Sequence, residues 1–374
     1  MKLIIDASNL LAGGGLVHLQ NLLLLANPQV HGFQKIIVYG GQNLLESFPK
    51  KDFLELREIQ LNRSYIYRLQ WQENKLQKLA KQKKALIFVP GGLFLGKYSP
   101  FVTMFQNMQV FETLERNREG WTKEWFRLFL LKVGQGRTFR KSAGLICLSE
   151  YSRNYLQQFY PQLLNDVETR LIPHGVIQHD QNPRDYRFKD KIRLLYVSTV
   201  KKYKHQWHLI ESVAELLKQS YPLELHLIGS GDPSAIKRMS DTIQKHTSLG
   251  KFVYCHGGLT HKETLDWFDR ADLFAYPSSC ENLPIILLEA MSSGLPIACS
   301  DRGPMPEVLR DAGKYFNPEQ PDSIAASLKL LLDDESLRQK LGSKAQMLSQ
   351  NYSWERCAND TFSFLQKVNN LHYS

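Results

Sequence analysis

Short apolar runs alternate with longer amphipathic stretches along almost the whole chain. In the first half, runs of strand length lie at 2–6, 35–39, 53–61, 85–90, 101–105 and 143–148, with helical stretches at 17–26 and 64–84. In the second half such runs lie at 192–199, 223–228, 253–256, 271–277 and 296–300, with helical stretches at 207–219, 234–246 and 262–271. Parallel strands need a crossover between them, so this alternation predicts an α/β protein with a parallel sheet in each half.

A polar stretch that carries Pro183 separates the two halves. Linkers between domains have this composition, so we predict an N-terminal domain over 1–175, a linker over 176–190 and a C-terminal domain over 191–350. Residues 351–374 contain one more amphipathic helix.

Two glutamates flank a predicted helix start in the second half. Glu281 follows the apolar run 271–277, Pro284 suits the first helical position, and Glu289 lies about two turns into the helix. Ligands of open α/β sheets bind at the carboxyl ends of strands, and helix amino ends favour phosphate. The stretch therefore predicts a site for a phosphorylated sugar. The alternative is that the glutamates only complement the helix dipole or pair with a core arginine.

A glycine triplet, Gly13, Gly14 and Gly15, follows the first strand and precedes a helix. Glycines here let the backbone approach a ligand closely, and a tight turn without a ligand explains the triplet equally well.

Residues 113–141 mix eight basic residues with Trp, Phe and Leu at helical spacing. This pattern is typical of a helix that lies on an anionic membrane. It also suits a helix whose apolar face packs on the first domain, and both descriptions can hold for different parts of the segment.

The net charge of +10 lies wholly in the first half: residues 1–173 hold 23 Lys and Arg against 13 Asp and Glu, and the remainder holds 24 of each. A basic first domain suits an anionic partner such as a phospholipid surface, a polyprenyl-diphosphate acceptor or nucleic acid, or it serves solubility. Five scattered cysteines without a CxxC motif indicate a reducing compartment. We expect a cytoplasmic protein, either in solution or peripheral on the inner face of the membrane.

Several motifs occur together in an order that resembles glycosyltransferase family 4, the retaining enzymes of GT-B fold that use nucleotide-diphosphate sugars. They are Gly13-Gly14-Gly15, Ile-Pro-His-Gly-Val at 172–176, the segments 196–204 and 227–231, and the pair Glu281 and Glu289 inside 277–296. The resemblance covers nearly the whole chain and is strongest over 190–320.

The resemblance implies two Rossmann-like domains that face each other across a cleft, with the acceptor in the first, the donor nucleotide in the second, and the last helix crossing back to the first. Glu281 would contact the transferred sugar and Glu289 the ribose hydroxyls. Lys204 would neutralise the donor diphosphate, on which charge builds as the glycosidic bond breaks. Gly229 and the backbone amides near Asn282 and Leu283 would add to the donor site.

The chain departs from the family pattern at four places. Thr199 replaces a usual Arg, whose charge Lys201 or Lys202 would supply. Gln106 and Asn107 stand where the first domain usually offers a His to the acceptor site. Pro284 replaces a Gly, and His174 replaces an Asn. Because both glutamates and Lys204 remain, the pattern favours a variant enzyme over an inactive one.

The sequence thus predicts a retaining glycosyltransferase that moves a hexose-type sugar to a glycan acceptor, lipid-linked, in surface polysaccharide synthesis. No DxD motif occurs, so we expect no metal and no cofactor besides the nucleotide-sugar co-substrate. The alternatives are an epimerase of the same architecture and a non-catalytic subunit that binds a nucleotide sugar or glycan. A nucleic-acid-binding protein would need a recognition motif that this sequence lacks.

Overall fold

The structure is a computed structural model that describes residues 1–10, 13–59, 65–179, 184–188 and 190–373. By their contacts the residues form two compact units. The first comprises Met1–Arg116, Gly120–Gly175 and Ser353–Ser374, and the second comprises Asn117–Glu119 and Val176–Tyr352. The predicted linker, 176–190, therefore falls within the second unit, and the C-terminal segment from Ser353 belongs to the first.

The first unit is built on a parallel sheet with the strand order β3-β2-β1-β4-β5-β6-β7 within the described residues. The strands are β1 Lys2–Asp6, β2 Lys35–Gly40, β3 Leu54–Glu58, β4 Leu86–Val89, β5 Phe101–Phe105, β6 Gly144–Cys147 and β7 Glu168–Leu171. Strand order reverses between β1 and β4, so the loops that leave the carboxyl ends of these strands open a crevice at the edge of the sheet. The predicted strand 53–61 is confirmed over 54–58, and residues 60 and 61 lie outside the described part of the chain.

Helices of the first unit occur in the predicted stretches 17–26, 64–84 and 113–141, the last two of which are divided, and also elsewhere. They are α1 Gly14–Leu25, α2 Gln42–Leu45, α3 Tyr65–Gln70, α4 Gln77–Lys83, α5 Thr113–Asn117, α6 Lys123–Lys141, α7 Glu150–Phe159 and α8 Pro161–Asp166. A π-helical segment, Trp71–Leu76, joins α3 to α4 within the predicted helix 64–84. The stretch 113–141 breaks at Gly120, whose φ of 64° is left-handed, and Thr122 caps the new helix by accepting a hydrogen bond from the Trp125 amide.

The second unit has a parallel sheet in the order β10-β9-β8-β11-β12-β13, again within the described residues. Its strands are β8 Ile192–Val197, β9 Leu223–Ile228, β10 Val253–Gly257, β11 Leu273–Tyr276, β12 Ile297–Ser300 and β13 Lys314–Phe316. Its helices are α9 Gln206–Lys218, α10 Pro233–Lys245, α11 His261–Arg270, α12 Ile285–Ser292, α13 Met305–Leu309, α14 Pro321–Asp333 and α15 Glu335–Ser349. The order reverses between β8 and β11, which are hydrogen-bonded neighbours. The parallel sheet predicted for each half is confirmed.

The last helix, α16 Trp354–Tyr373, packs against α1 within the first unit. Its buried face carries Phe362, Leu365 and Val368.

The segment predicted as a linker, 176–190, is packed onto the second unit in its described part. The half-buried Arg184 guanidinium donates hydrogen bonds to the carbonyls of Ser293 and Phe268, each at 2.9 Å. Tyr186 donates to the Gly294 carbonyl at 3.1 Å. Residues 180–183 and 189 of this predicted linker, including Pro183, lie outside the described residues.

Candidate functional site

The loop between β11 and α12 is fixed to the loop after β8. Ser278 is fully buried, and the Ser279 amide donates to the Tyr203 carbonyl at 2.9 Å. The Ser279 hydroxyl lies 2.9 Å from Nε2 of His205. Burial lowers the pKa of His205 to about 3, so this histidine stays neutral at physiological pH. The two loops leave adjacent strands at the switch point of the sheet, where open α/β folds bind ligands.

Lys204 and Glu281 form an ion pair at this switch point. The Lys204 Nζ contacts Oε1 of Glu281, and the Tyr276 hydroxyl donates to the same oxygen at 2.8 Å. The side chains are only 9% and 15% exposed. Lys204 ends a short 3₁₀ turn, and the Tyr196 hydroxyl holds that turn by donating to the Lys204 carbonyl at 2.8 Å. The structure thus brings together two predicted site residues that lie 77 positions apart in the chain.

Burial raises the pKa of the Tyr276 phenol well above its ordinary value, and the charge of Glu281 adds to this effect. Tyr276 therefore remains a protonated donor to the carboxylate. An ammonium and a phenol on one oxygen fix the orientation of the carboxylate. It can accept further hydrogen bonds, such as those from sugar hydroxyls, on its remaining lone pairs.

Glu289 lies on the second turn of α12 and is paired with a histidine that the sequence reasoning missed. His261, the first residue of α11, donates from Nε2 to Oε1 of Glu289 at 2.8 Å. This hydrogen bond raises the pKa of His261. The sequence signal that could have located it is the capping box of Thr260 and Glu263, which starts a helix directly after β10 and so places residue 261 at the carboxyl edge of the sheet.

The predicted start of α12 differs from the structure by one residue. Pro284 is the N-cap residue, and the helix begins at Ile285, one position later than predicted. Asn282 and Leu283 are buried, at 5% and 7% exposure, between Glu281 and the helix. A contact of their amides with a donor stays a prediction.

The lysines proposed to replace the missing arginine have different surroundings. Lys202 forms an ion pair with Glu119 at 2.9 Å, so its charge is already matched within the second unit. Lys201 is half-buried at the start of the 3₁₀ turn. The Thr199 carbonyl accepts a hydrogen bond from the Gln206 side chain at 3.1 Å, which ties the end of β8 to α9.

The backbone conformation and the close neighbours of Gly229 require a glycine at this position. Its φ is +134°, and a Cβ built on it would lie 2.0 Å from the Ser198 carbonyl oxygen. A Cβ on Gly231 would lie equally close to the Val200 carbonyl, and these two residues form an isolated parallel bridge. The glycines allow the loops after β8 and β9 to touch backbone to backbone. A role of Gly229 toward the donor stays a prediction.

In the first unit the glycine triplet lies against Gln106, another of the predicted site residues. Gly13 has a φ of +79°, and α1 begins at Gly14. A Cβ on Gly15 would lie 2.6 Å from Oε1 of Gln106, so the turn after β1 and the end of β5 are in contact. Asn107, the next residue, is exposed. The triplet and the Gln106–Asn107 pair therefore share one edge of the first sheet. Residues 11 and 12 of the predicted turn lie outside the described residues.

His174, which replaces an asparagine of the family pattern, has a specific partner. Its Nδ1 lies 2.9 Å from Nδ1 of His18 on α1, and both rings are buried. Both contact the Trp354 ring of α16, with centroids 5.9 and 6.0 Å away. Burial lowers the pKa of His18 to about 4 and that of His174 well below its ordinary value. The substitution thus has a structural explanation within the first unit.

Comparison with known proteins agrees with this geometry. Residues 178–347 match the family described as glycosyl transferases group 1. The O-antigen chain mannosyltransferase B of Escherichia coli is 29% identical over 173 residues, which are 45% of this chain and 44% of that protein. The MMP alpha-(1->4)-mannosyltransferase of Mycolicibacterium hassiacum is 24% identical over 266 residues, which are 68% of this chain and 63% of that protein. The chain therefore spans less than two thirds of the length of either relative.

Among solved structures, a sucrose-phosphate synthase of Thermosynechococcus elongatus superposes with a TM-score of 0.78 at 15% identity, covering 99% of this chain and all of that one. This likeness shows the fold, which is GT-B. Residues 178–347, just under half of the chain, are thus similar to the group 1 glycosyltransferases.

Proposed function

We propose that this protein is a retaining glycosyltransferase that transfers a hexose-type sugar from a nucleotide-diphosphate sugar to a glycan acceptor. The observation that carries the proposal is the ion pair of Lys204 and Glu281 at the switch point between β8 and β11, with Glu289 on the helix that follows. A site for a nucleoside diphosphate sugar needs a cation for the diphosphate and carboxylates for hydroxyl groups. These three side chains supply both at the edge where such ligands bind.

Lys204 is the residue that would stabilise the leaving group. Negative charge builds on the diphosphate as the glycosidic bond breaks, and a fixed ammonium in a partly buried site stabilises that charge more than water does. An ammonium has three N–H donors, so Lys204 can keep its bond to Glu281 and still donate to a phosphate oxygen. In this proposal no metal takes part, the acceptor hydroxyl attacks from the face that the nucleotide leaves, and a donor phosphate oxygen accepts the proton.

The acceptor in this proposal is a lipid-linked glycan in surface polysaccharide synthesis. One relative acts on an O-antigen chain by its name. The first half of the sequence carries the whole net charge of +10, which suits an anionic lipid carrier. The acceptor side would be the edge of the first sheet where Gly13–Gly15 and Gln106 meet.

Helix α6 supports a peripheral membrane contact as part of the same proposal. Phe126, Phe129, Leu130 and Val133 are exposed and recur at helical spacing, so they form one apolar stripe. The opposite face packs on the unit through buried residues, among them Leu128 and Phe139. Trp121, at 92% exposure, stacks near Trp125, with ring centroids 4.7 Å apart.

Basic residues flank this stripe along the helix: Lys123, Arg127, Arg137 and Arg140. Exposed aromatic and aliphatic side chains among cations suit the boundary of an anionic bilayer. No helix among the described residues is long and apolar enough to cross a membrane, so the contact we propose is with the surface only. In this proposal the two descriptions left open by the sequence apply to opposite faces of α6.

A thermal-shift screen tests the donor site. The purified protein is heated with UDP, GDP, ADP, dTDP or CMP, each in large excess. A nucleotide that binds only the folded state stabilises it by ~2.7 kcal/mol at a hundredfold excess over its dissociation constant. We expect one diphosphate to raise the melting temperature, and Glu289→Ala to lose the shift. Glu335→Ala, an exposed glutamate at the start of α15, is the control that should keep it.

The missing arginine at Thr199 favours a second candidate, a non-catalytic subunit that binds a nucleotide sugar or glycan for an active partner. The two candidates differ in turnover. A nucleotide that shifts the melting temperature but whose sugar is neither transferred nor hydrolysed would favour the subunit. No shift with any nucleotide would contradict the donor site itself.

A further inference from the structure

The pairing of His261 with Glu289 restricts how this carboxylate can meet a ligand. His261 Nε2 lies 2.8 Å from Oε1, while the Glu289 side chain is 6% exposed. The other oxygen, Oε2, has no contact with solvent and no hydrogen-bond partner among the described residues. In this conformation a ligand hydroxyl can reach only Oε1, the oxygen that already accepts from the histidine.

Oε1 can serve both partners at once. A carboxylate oxygen has two lone-pair sites, so it can accept from an imidazole N–H and from a hydroxyl together. The histidine bond also fixes the rotation of the carboxylate, since a turn of the group would break it. The hydrogen bond to Glu289 raises the pKa of His261, so it favours the protonated imidazole, whose N–H donates through a charge-assisted bond.

The two residues reach this geometry from different elements. Glu289 projects from the buried helix α12, whose neighbours Leu288 and Ala290 are fully buried and hold the helix in place. His261 is 49% exposed on the first turn of α11. The capping box of Thr260 and Glu263 fixes that turn: the Thr260 hydroxyl accepts from the Glu263 amide, and the Glu263 carboxylate accepts from the Thr260 amide at 2.8 Å. An exposed side chain on a fixed turn above a buried carboxylate is in a position to line a ligand site.

We propose that His261 is the positioning residue of the nucleoside site: it holds Glu289 in the orientation in which Oε1 accepts a ribose hydroxyl. This inference rests on the proposed function, in which Glu289 binds the ribose. It predicts that the histidine contributes to affinity through the ribose hydroxyls and not through the base or the diphosphate.

Deoxynucleotides test whether His261 contributes to affinity through the ribose hydroxyls. Isothermal titration measures the affinity of the nucleotide that raises the melting temperature in the thermal-shift screen, and of its 2′-deoxy and 3′-deoxy forms, for the unaltered protein and for His261→Ala. A hydrogen bond to a charged group contributes ~1.5–3 kcal/mol, so we expect removal of the recognised hydroxyl to weaken binding to the unaltered protein ~10-fold or more. In His261→Ala the same removal should weaken binding less than ~3-fold.

Two further variants separate positioning from charge. His261→Gln keeps an N–H donor near Glu289 and should recover part of the discrimination against the deoxy forms. Lys262→Ala removes an exposed cation from the same turn and should leave the discrimination unchanged. An equal loss of affinity for the ribo and deoxy forms in His261→Ala, or an undiminished discrimination, would overturn the inference while leaving the donor site intact. A failure of the unaltered protein to bind any of the five nucleotides of the thermal-shift screen would instead overturn the proposed function, and this inference with it.

Discussion

The buried pair of His18 and His174 should make the stability of the first unit depend on pH. The two Nδ1 atoms lie 2.9 Å apart, so one must carry a hydrogen and the other must accept it. Protonation of the accepting nitrogen would break this hydrogen bond. His18 has a pKa of about 4 in the folded protein against an ordinary 6.5. Between these values the unfolded chain binds more protons than the folded one. The free energy of unfolding therefore falls as the pH falls from 6.5 toward 4.

The loss from His18 alone, integrated from pH 7.5 to pH 5, is about 2 kcal/mol. Amide hydrogen exchange in α1 and α16 measures the opening free energy of this unit by itself. In His18→Asn, whose amide can still bond to His174 but cannot titrate, the pH dependence should be shallower by about that amount. His372→Asn, an exposed histidine on α16, is the control that should leave it unchanged. The same dependence in His18→Asn and the unaltered protein would refute the reasoning.

Two other predictions concern the ion pair and the apolar stripe. Lys204→Met leaves the Glu281 carboxylate without its ammonium. In chemical denaturation, the double variant Lys204→Met with Glu281→Gln should therefore be more stable than the sum of the two single losses predicts, by a coupling free energy of about 1–2 kcal/mol. Strictly additive losses would contradict the pairing. The double variant Phe126→Ser with Leu130→Ser should bind anionic liposomes more weakly, and salt should weaken the binding of the unaltered protein. The control Leu371→Ser, at an exposed position on α16, should bind the liposomes as the unaltered protein does. Equal binding to neutral liposomes would contradict the electrostatic part of the proposal.

The parallel sheets could be predicted from the sequence pattern, and the grouping of Lys204 with Glu281 from the resemblance to a known family. Alternation of apolar runs and amphipathic stretches fixes the parallel arrangement, because crossover helices leave few other topologies. Once the strands are parallel, loops from their carboxyl ends must share one edge of the sheet. Residues after β8 and β11 can then be placed together without any knowledge of their side-chain contacts.

What the sequence could not supply depends on packing between distant elements. The bond of His261 to Glu289 joins the starts of two helices whose relative positions follow from the fold of the whole unit. The ion pair of Lys202 with Glu119 could not be foreseen either. Residues 117–119 lie at and just after the end of a helix in the first half of the chain, and yet they belong to the second unit. Gly229 carried an ambiguous signal, since a glycine that admits a ligand and a glycine that admits another backbone look alike in sequence.

These contacts bear on the arginine that Thr199 replaces. Lys202 is paired with Glu119, and Lys204 is the cation that we propose binds the donor diphosphate. In the structure the partner of Lys204 is Glu281. A diphosphate that draws the ammonium toward itself would leave a partly buried carboxylate less well neutralised. Here the Tyr276 hydroxyl matters, because it would still donate to Glu281 and hold the carboxylate in place. In the function that we propose, Lys204 could therefore move toward the leaving group while Glu281, which would contact the sugar, keeps its orientation.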